Sequence, residues 1–177
     1  MKFDFVNYIS NFHDHKWKEI IIHHSATPDG KVNDWRAIKL WHTGKTGSAD
    51  PTKKDFNPYI AKPDLDIGYN FGIEFEGADL NVYQGRSMMI NGAHCIGHND
   101  KALGICIVGC FDIIPPSEKH YTVCAELCEE LMKHFGIPLN QIFPHRQFAN
   151  KTCPGKKFDM DILKDFILRR KNPPKTI

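Results

Sequence analysis

The chain has no apolar run that could cross a bilayer: its most apolar stretch, residues 103–111, falls far short of the roughly 20 residues a spanning helix needs. A soluble protein without stable membrane association is therefore expected. No export signal is read in residues 1–18, where Asp4, Asn7, Asn11, His13, Asp14 and His15 interrupt the aromatics and leave no continuous apolar core. That places the protein in the cytoplasm on synthesis. Charge of one sign is missing too. A formal net charge of +2 is no electrostatic footprint for a nucleic acid, which is excluded as a main partner. There is no internal repeat, low-complexity tract or linker, so 177 residues read as a lead-in (1–18) and one domain (19–177) large enough for a real core. Oligomeric state is left open, with a monomer favoured.

Cysteine is present six times, which raises the question of a disulfide framework. The pairs 106/110 and 124/128 are four apart within regular segments, and in a strand such a pair shares a face but lies too far apart to bridge. In a reducing cytoplasm they read as small buried apolar groups. Cys153 stands apart from them.

Local patterning alternates strands with helices. The run 20–22, three isoleucines, predicts a buried strand over 19–24 that ends in His23-His24. A turn cluster at 26–30 leads to a helix capped by Asn33 or Asp34, carrying Trp35, Ile38, Leu40 and Trp41 up to Gly44. Residues 43–65 turn to Lys, Asp, Pro, Gly and Ser, a loop long enough to be either a solvated insertion or a wall of a groove through Phe56 and Tyr59. Strands are expected over 67–75, 81–86 and, covered on both faces, 103–110. Ser117 caps a helix to Phe135 with Gly136 beyond it. A short strand over 141–145 and a last helix opened by Asp159, with Ile162, Leu163, Phe166 and Ile167 inward, complete the chain. The run Arg169-Arg170-Lys171 ends that helix, where positive charge suits the dipole, and needs no partner. The order argues for a single-domain α/β fold, a central sheet with helices packed against it.

The most informative stretch is 144–155, Pro-His-Arg-Gln-Phe-Ala-Asn-Lys-Thr-Cys-Pro-Gly, which sets His145 and Cys153 eight positions apart in a segment too broken for a helix. Imidazole and thiolate are zinc donors, and a catalytic site uses three protein ligands with a fourth position left for water. The rigid strand end at His23-His24 is the best supplier of the third ligand. Neighbouring side chains on a strand point to opposite sides, so only one of the two can face the metal.

These residues resemble the zinc-dependent N-acetylmuramoyl-L-alanine amidase family, which includes phage-lysozyme type amidases and the peptidoglycan recognition proteins. The matching blocks are Ile-Ile-His-His-Ser-Ala-Thr (21–27), Asp-Ile-Gly-Tyr-Asn-Phe (66–71), Gly-Ala-His-Cys-Ile-Gly-His-Asn (92–99), Leu-Gly-Ile-Cys-Ile-Val-Gly (103–109) and the 145–155 loop, in the family's order. The resemblance implies a mixed central sheet flanked by helices, with an open zinc-containing cleft. It assigns one Zn²⁺ to His23, His145 and Cys153, catalytic roles to Tyr69 and Lys151, and positions near the substrate to His94 and Asn99. The implied activity is cleavage of bacterial peptidoglycan between N-acetylmuramic acid and L-alanine by a phage or prophage endolysin, acting on the wall after release. A non-catalytic peptidoglycan-binding module and a cytosolic amidase recycling wall fragments are the alternatives.

Overall fold

Ile20, Ile21 and Ile22 are fully buried, and the strand they form, β1 (Glu19–His24), lies inside the sheet with a neighbour on each side. The computed structural model describes residues 2–13, 16–26 and 34–171. The turn cluster beyond Ala26 and the Asn33 cap fall outside them. Four further strands follow: β2 (Phe71–Glu76), β3 (Asp79–Gln84), β4 (Ala102–Ile107) and β5 (Ile142–Pro144). Their order is β3-β2-β4-β1-β5. β2, β4, β1 and β5 run parallel and only β3 is antiparallel, folded onto β2 by a two-residue turn with Gly77 at φ 64°. The sheet is therefore mixed, as the resemblance implies, and the carboxyl ends of its four parallel strands share one edge.

β1 and β4 are paired from Glu19↔Ala102 to His24↔Ile107, and side chains alternate between faces along both. Ile20, Ile22, Leu103, Ile105 and Ile107 join the main core. Against them pack α3 (Glu118–Phe135) and α4 (Met160–Lys171). The short α1 (Phe5–Ser10) lies on α3, bringing Ile9 into the same core. On the opposite face Ile21 meets Cys95 and Ala102, and Cys106 meets Trp35 and Ile38 of α2 (Trp35–His42). Gly72 permits that approach, because a Cβ there would stand 2.5 Å from the Trp35 ring.

Start and stop signals agree with the helices. The Asp34 side chain accepts from Ala37 N and opens α2. Gly136, at φ 69°, closes α3 in the left-handed conformation that costs glycine least. The stripe Tyr121, Cys124, Leu127, Cys128, Leu131, Met132 and Phe135 is buried as expected.

Two expectations are corrected. Residues 67–70 are not strand: Ile67 N donates to the Asp66 carboxylate, Gly68 N to His42 Nδ1 and Asn70 N to Gly104 O, so β2 begins only at Phe71. In α4, Ile162 is 43% exposed while Met160, Leu163 and Ile167 face the core, a stripe displaced from the one read in the sequence. The 43–65 segment is an organised loop. Asn57 is buried and sends Nδ2 to Trp41 O and Thr46 O, while its Oδ1 accepts from Tyr59 N. Phe56 stays partly exposed, but Tyr59 turns toward the sheet edge.

Candidate active site

The carboxyl ends of β1, β4 and β5 border a cleft of about 450 Å³ lined by His23, His24, Tyr59, Tyr69, Lys151 and Cys153 among others. Such an edge is the usual ligand position in parallel α/β sheets. His23 is the next-to-last residue of β1 and lies on the α2 side of the sheet, and β5 delivers His145 at the start of a 3-10 turn. The chain then loops back. Arg146 N donates to Cys153 O, and Arg146 Nη1 and Nη2 hold Gly155 O and Phe158 O, so the loop returns Cys153 beside His145.

One ligand atom each from His23, His145 and Cys153 lies within 4.8 Å of the other two, and all three residues are buried. His23 Nδ1 is 3.7 Å from Cys153 Sγ. Two bonds of about 2.1 and 2.3 Å to one tetrahedral ion would span roughly 3.6 Å, so this spacing fits zinc. Burial, then the neighbouring His94, His145 and His24, hold His23 well below the usual histidine pKa. His145 is lowered as well, by burial and then by Lys151. Both imidazoles are therefore neutral and offer lone pairs. Burial pushes the Cys153 thiol up to about 11, against the opposing pull of the His24 amide, Lys151 and Arg146. A cation at the centre reverses that shift and holds the thiolate. The donor set fits a single zinc ion.

His24 points the other way. Its Nδ1 accepts from Phe111 N, its ring stacks on Phe111, and its Nε2 is 4.0 Å from Asp112 Oδ2. Strand alternation thus brings His23, and not His24, to the donor group.

Tyr69 is placed by the loop before β2, its ring 5.0 Å from that of His23 and 5.5 Å from that of His42. Burial first, then nearby Cys106 and Cys153, raises its phenol well above the usual range. The group is a hydrogen-bond donor and not a phenolate. Lys151 is exposed, on the loop that carries Cys153, and lines the same cleft.

His94 borders the cleft, but both of its ring nitrogens are engaged: Nδ1 is 3.1 Å from His23 Nε2, and Nε2 is 3.2 Å from Ala102 O. Burial lowers its pKa to about 4. Asn99 does not reach the cleft lining. Its Oδ1 accepts from His94 N and Cys95 N, which makes it a brace for the loop before β4.

Cleft residues not singled out from the sequence include His42, Asp112 and Thr152. His42 ends α2 and accepts from Gly68 N. Asp112 accepts from Thr152 Oγ1 and Lys156 N, tying the Cys153 loop to the segment after β4. The available signal was position alone, since Asp112 follows the end of a buried parallel strand and Thr152 adjoins Cys153.

Comparison with known proteins adds three findings. Residues 13–156 match the family described as N-acetylmuramoyl-L-alanine amidase. Among curated proteins, the chain is 33% identical over 144 residues to peptidoglycan-recognition protein LB of Drosophila melanogaster, covering 81% of this chain and 56% of that protein. It is 29% identical over 147 residues to the endolysin of Escherichia phage T7, covering 80% of this chain and 81% of that one. The chain thus spans little more than half of the insect relative but most of the phage protein. Among solved structures, the N-acetylmuramoyl-L-alanine amidase LysC from Clostridium intestinale shares the fold with a TM-score of 0.62 at 20% identity, covering 88% of this chain and 89% of that one.

Proposed function

Because this chain belongs to the N-acetylmuramoyl-L-alanine amidase family, we propose that it hydrolyses the amide joining the lactyl group of N-acetylmuramic acid to L-alanine in bacterial peptidoglycan, with zinc held by His23, His145 and Cys153. The observation that carries this reading is the convergence of three donor atoms within 4.8 Å at the floor of a cleft, from residues up to 130 positions apart. Zinc, when bound, supplies Lewis acidity that polarises a carbonyl and acidifies water.

The chain's own groups do the rest. The two neutral imidazoles and the buried sulfur hold the metal. Tyr69 keeps its proton on Oη and offers it as a hydrogen bond to the oxyanion that develops as the amide carbon becomes tetrahedral. Lys151, exposed in the same cleft, assists the departing nitrogen. Tyr59 and His42, their rings 5.1 Å apart, wall the cleft beside Tyr69 and orient the substrate.

The endolysin role is part of the same proposal, supported by the phage relative that this chain nearly spans. It entails accumulation in the cytoplasm and release to the wall. The test is clearing of purified cell walls by the protein as isolated, after a strong chelator, and after zinc is returned. The proposal expects clearing, its loss, and its recovery, with none at any stage from Cys153→Ser. Wall binding without clearing in all three conditions would contradict it and identify a recognition module.

A further inference from the structure

His94 is held more tightly than a cleft-lining side chain needs to be. Its ring lies in a slot between two glycines: a Cβ on Gly92 would stand 2.5 Å from His94 Cδ2, and one on Gly104 would stand 2.6 Å from the same atom. Its backbone is fixed by Asn99, whose Oδ1 accepts from His94 N and Cys95 N at 2.9 Å each. Gly104, the floor of the slot, is fixed in turn by Asn70, which accepts from Gly104 N through Oδ1 and donates to Gly104 O through its backbone N.

The slot determines where the protons lie. Ala102 O, 3.2 Å from His94 Nε2, is a carbonyl oxygen and can only accept, so Nε2 carries the hydrogen. The contact between His94 Nδ1 and His23 Nε2, 3.1 Å, requires one bare nitrogen and one N–H. With the His94 hydrogen committed to Ala102, the neutral ring leaves Nδ1 bare, and His23 must donate from Nε2. The lone pair of His23 is then left on Nδ1, the nitrogen that faces Cys153 Sγ at 3.7 Å.

We propose that His94 is a positioning residue that fixes the tautomer and ring orientation of His23, so that Nδ1 of His23 is the bare nitrogen turned into the donor group. This rests on the zinc reading above, and it gives His94 a role directed at the metal ligand, not the substrate. Asn99 and Asn70 belong to the same device, since they hold the slot that aims the ring. A partner of this kind raises the basicity of a metal-bound imidazole and is typically worth about 10- to 100-fold in metal affinity.

The experiment has two arms. Nitrogen-15 NMR of the imidazoles in metal-free wild-type protein reads the tautomers directly, and His23 and His94 are both expected as the Nε2–H form. A His23 ring found with its hydrogen on Nδ1 would overturn the proposal, whether or not the protein binds zinc. The second arm measures zinc affinity by competition with a chromophoric chelator. His94→Asn places an acceptor oxygen where Nδ1 stood and is expected to bind zinc close to wild type. His94→Leu fills the slot without an acceptor and is expected to bind about 10- to 100-fold more weakly. Metal-free melting temperatures of the two variants show whether either has lost its fold. Equal zinc affinity in two folded variants would overturn the proposal, as a merely structural His94 requires. Wild-type protein that binds no zinc would sink the amidase reading instead, and the NMR arm would still decide the tautomer.

Discussion

Asp112 Oδ2 accepts a hydrogen bond from Thr152 Oγ1 at 2.7 Å, forty residues along the chain, and Asp112 Oδ1 accepts from Lys156 N at 2.8 Å. The pair clamps the loop that carries Lys151 and Cys153 to the segment after β4. Both bonds hold the Asp112 carboxyl below its usual pKa, so the clamp is charged and intact at neutral pH. Asp112→Ala leaves these donors without their acceptor and frees the loop. Stability is expected to fall by about 1–2 kcal/mol, and zinc affinity by about tenfold as the Cys153 thiol loses its fixed position. Urea titration and chelator competition measure the two effects.

Lys151 separates metal binding from turnover. It lines the cleft and is no member of the donor group. Lys151→Ala should bind zinc as wild type does and lose on the order of 10²- to 10⁴-fold in kcat, the range for a lost acid–base or charge-stabilising group. Unchanged turnover would show that the role implied by the family resemblance does not hold for this residue.

The α4 stripe gives a paired test of packing. Leu163 is fully buried and Ile162 is 43% exposed. Leu163→Ala is expected to cost about 2–5 kcal/mol, and Ile162→Ala no more than about 0.5 kcal/mol. Equal costs would mean that the helix is rotated from the orientation described.

Acid sensitivity should arise in part at the start of α3, away from the metal. His120 Nδ1 accepts from Ser117 N at 3.0 Å and lies 2.8 Å from Ser117 Oγ, closing the first turn of the helix. Around it stand Phe75 and Phe111, and burial lowers its pKa below the ordinary 6.5. A folded-state pKa below the unfolded one means that the unfolded chain binds more protons. The contribution to stability is therefore present above about pH 6.5 and is lost as pH falls below it. Urea denaturation of the metal-free protein at pH 7.5 and pH 5.5 should show stability declining toward acid. His120→Gln should flatten that decline by no more than one proton.

How much of this was legible in advance depended on whether the information was local. Ser117 and Gly136 mark the ends of α3 because a cap and a left-handed residue act within one turn, and both stand where the sequence puts them. The apolar runs 20–22 and 102–107 mark the buried strands β1 and β4 for the same local reason. Residues 67–70 misled because Gly68 N and Asn70 N bond to His42 and Gly104, partners that no pattern within the segment reveals. At the site, His145 and Cys153 stood out by their own chemistry on a broken loop, strand alternation allowed only one of His23 and His24 to join them, and the resemblance selected His23. The contacts of His94 and Asn99 were not legible, since a histidine that borders a cleft and one that braces a ligand look alike until Ala102 O and His23 are placed around it.

The central claim is that one amide bond is the target, and mass analysis of the soluble products from purified peptidoglycan tests it most directly. With zinc present, the account predicts glycan-free stem peptides beginning with a free L-alanine amine, alongside glycan strands that retain intact lactyl groups, and neither product from Cys153→Ser. Products in which every peptide still carries its sugar, or walls left undigested by zinc-loaded wild-type protein, would contradict it.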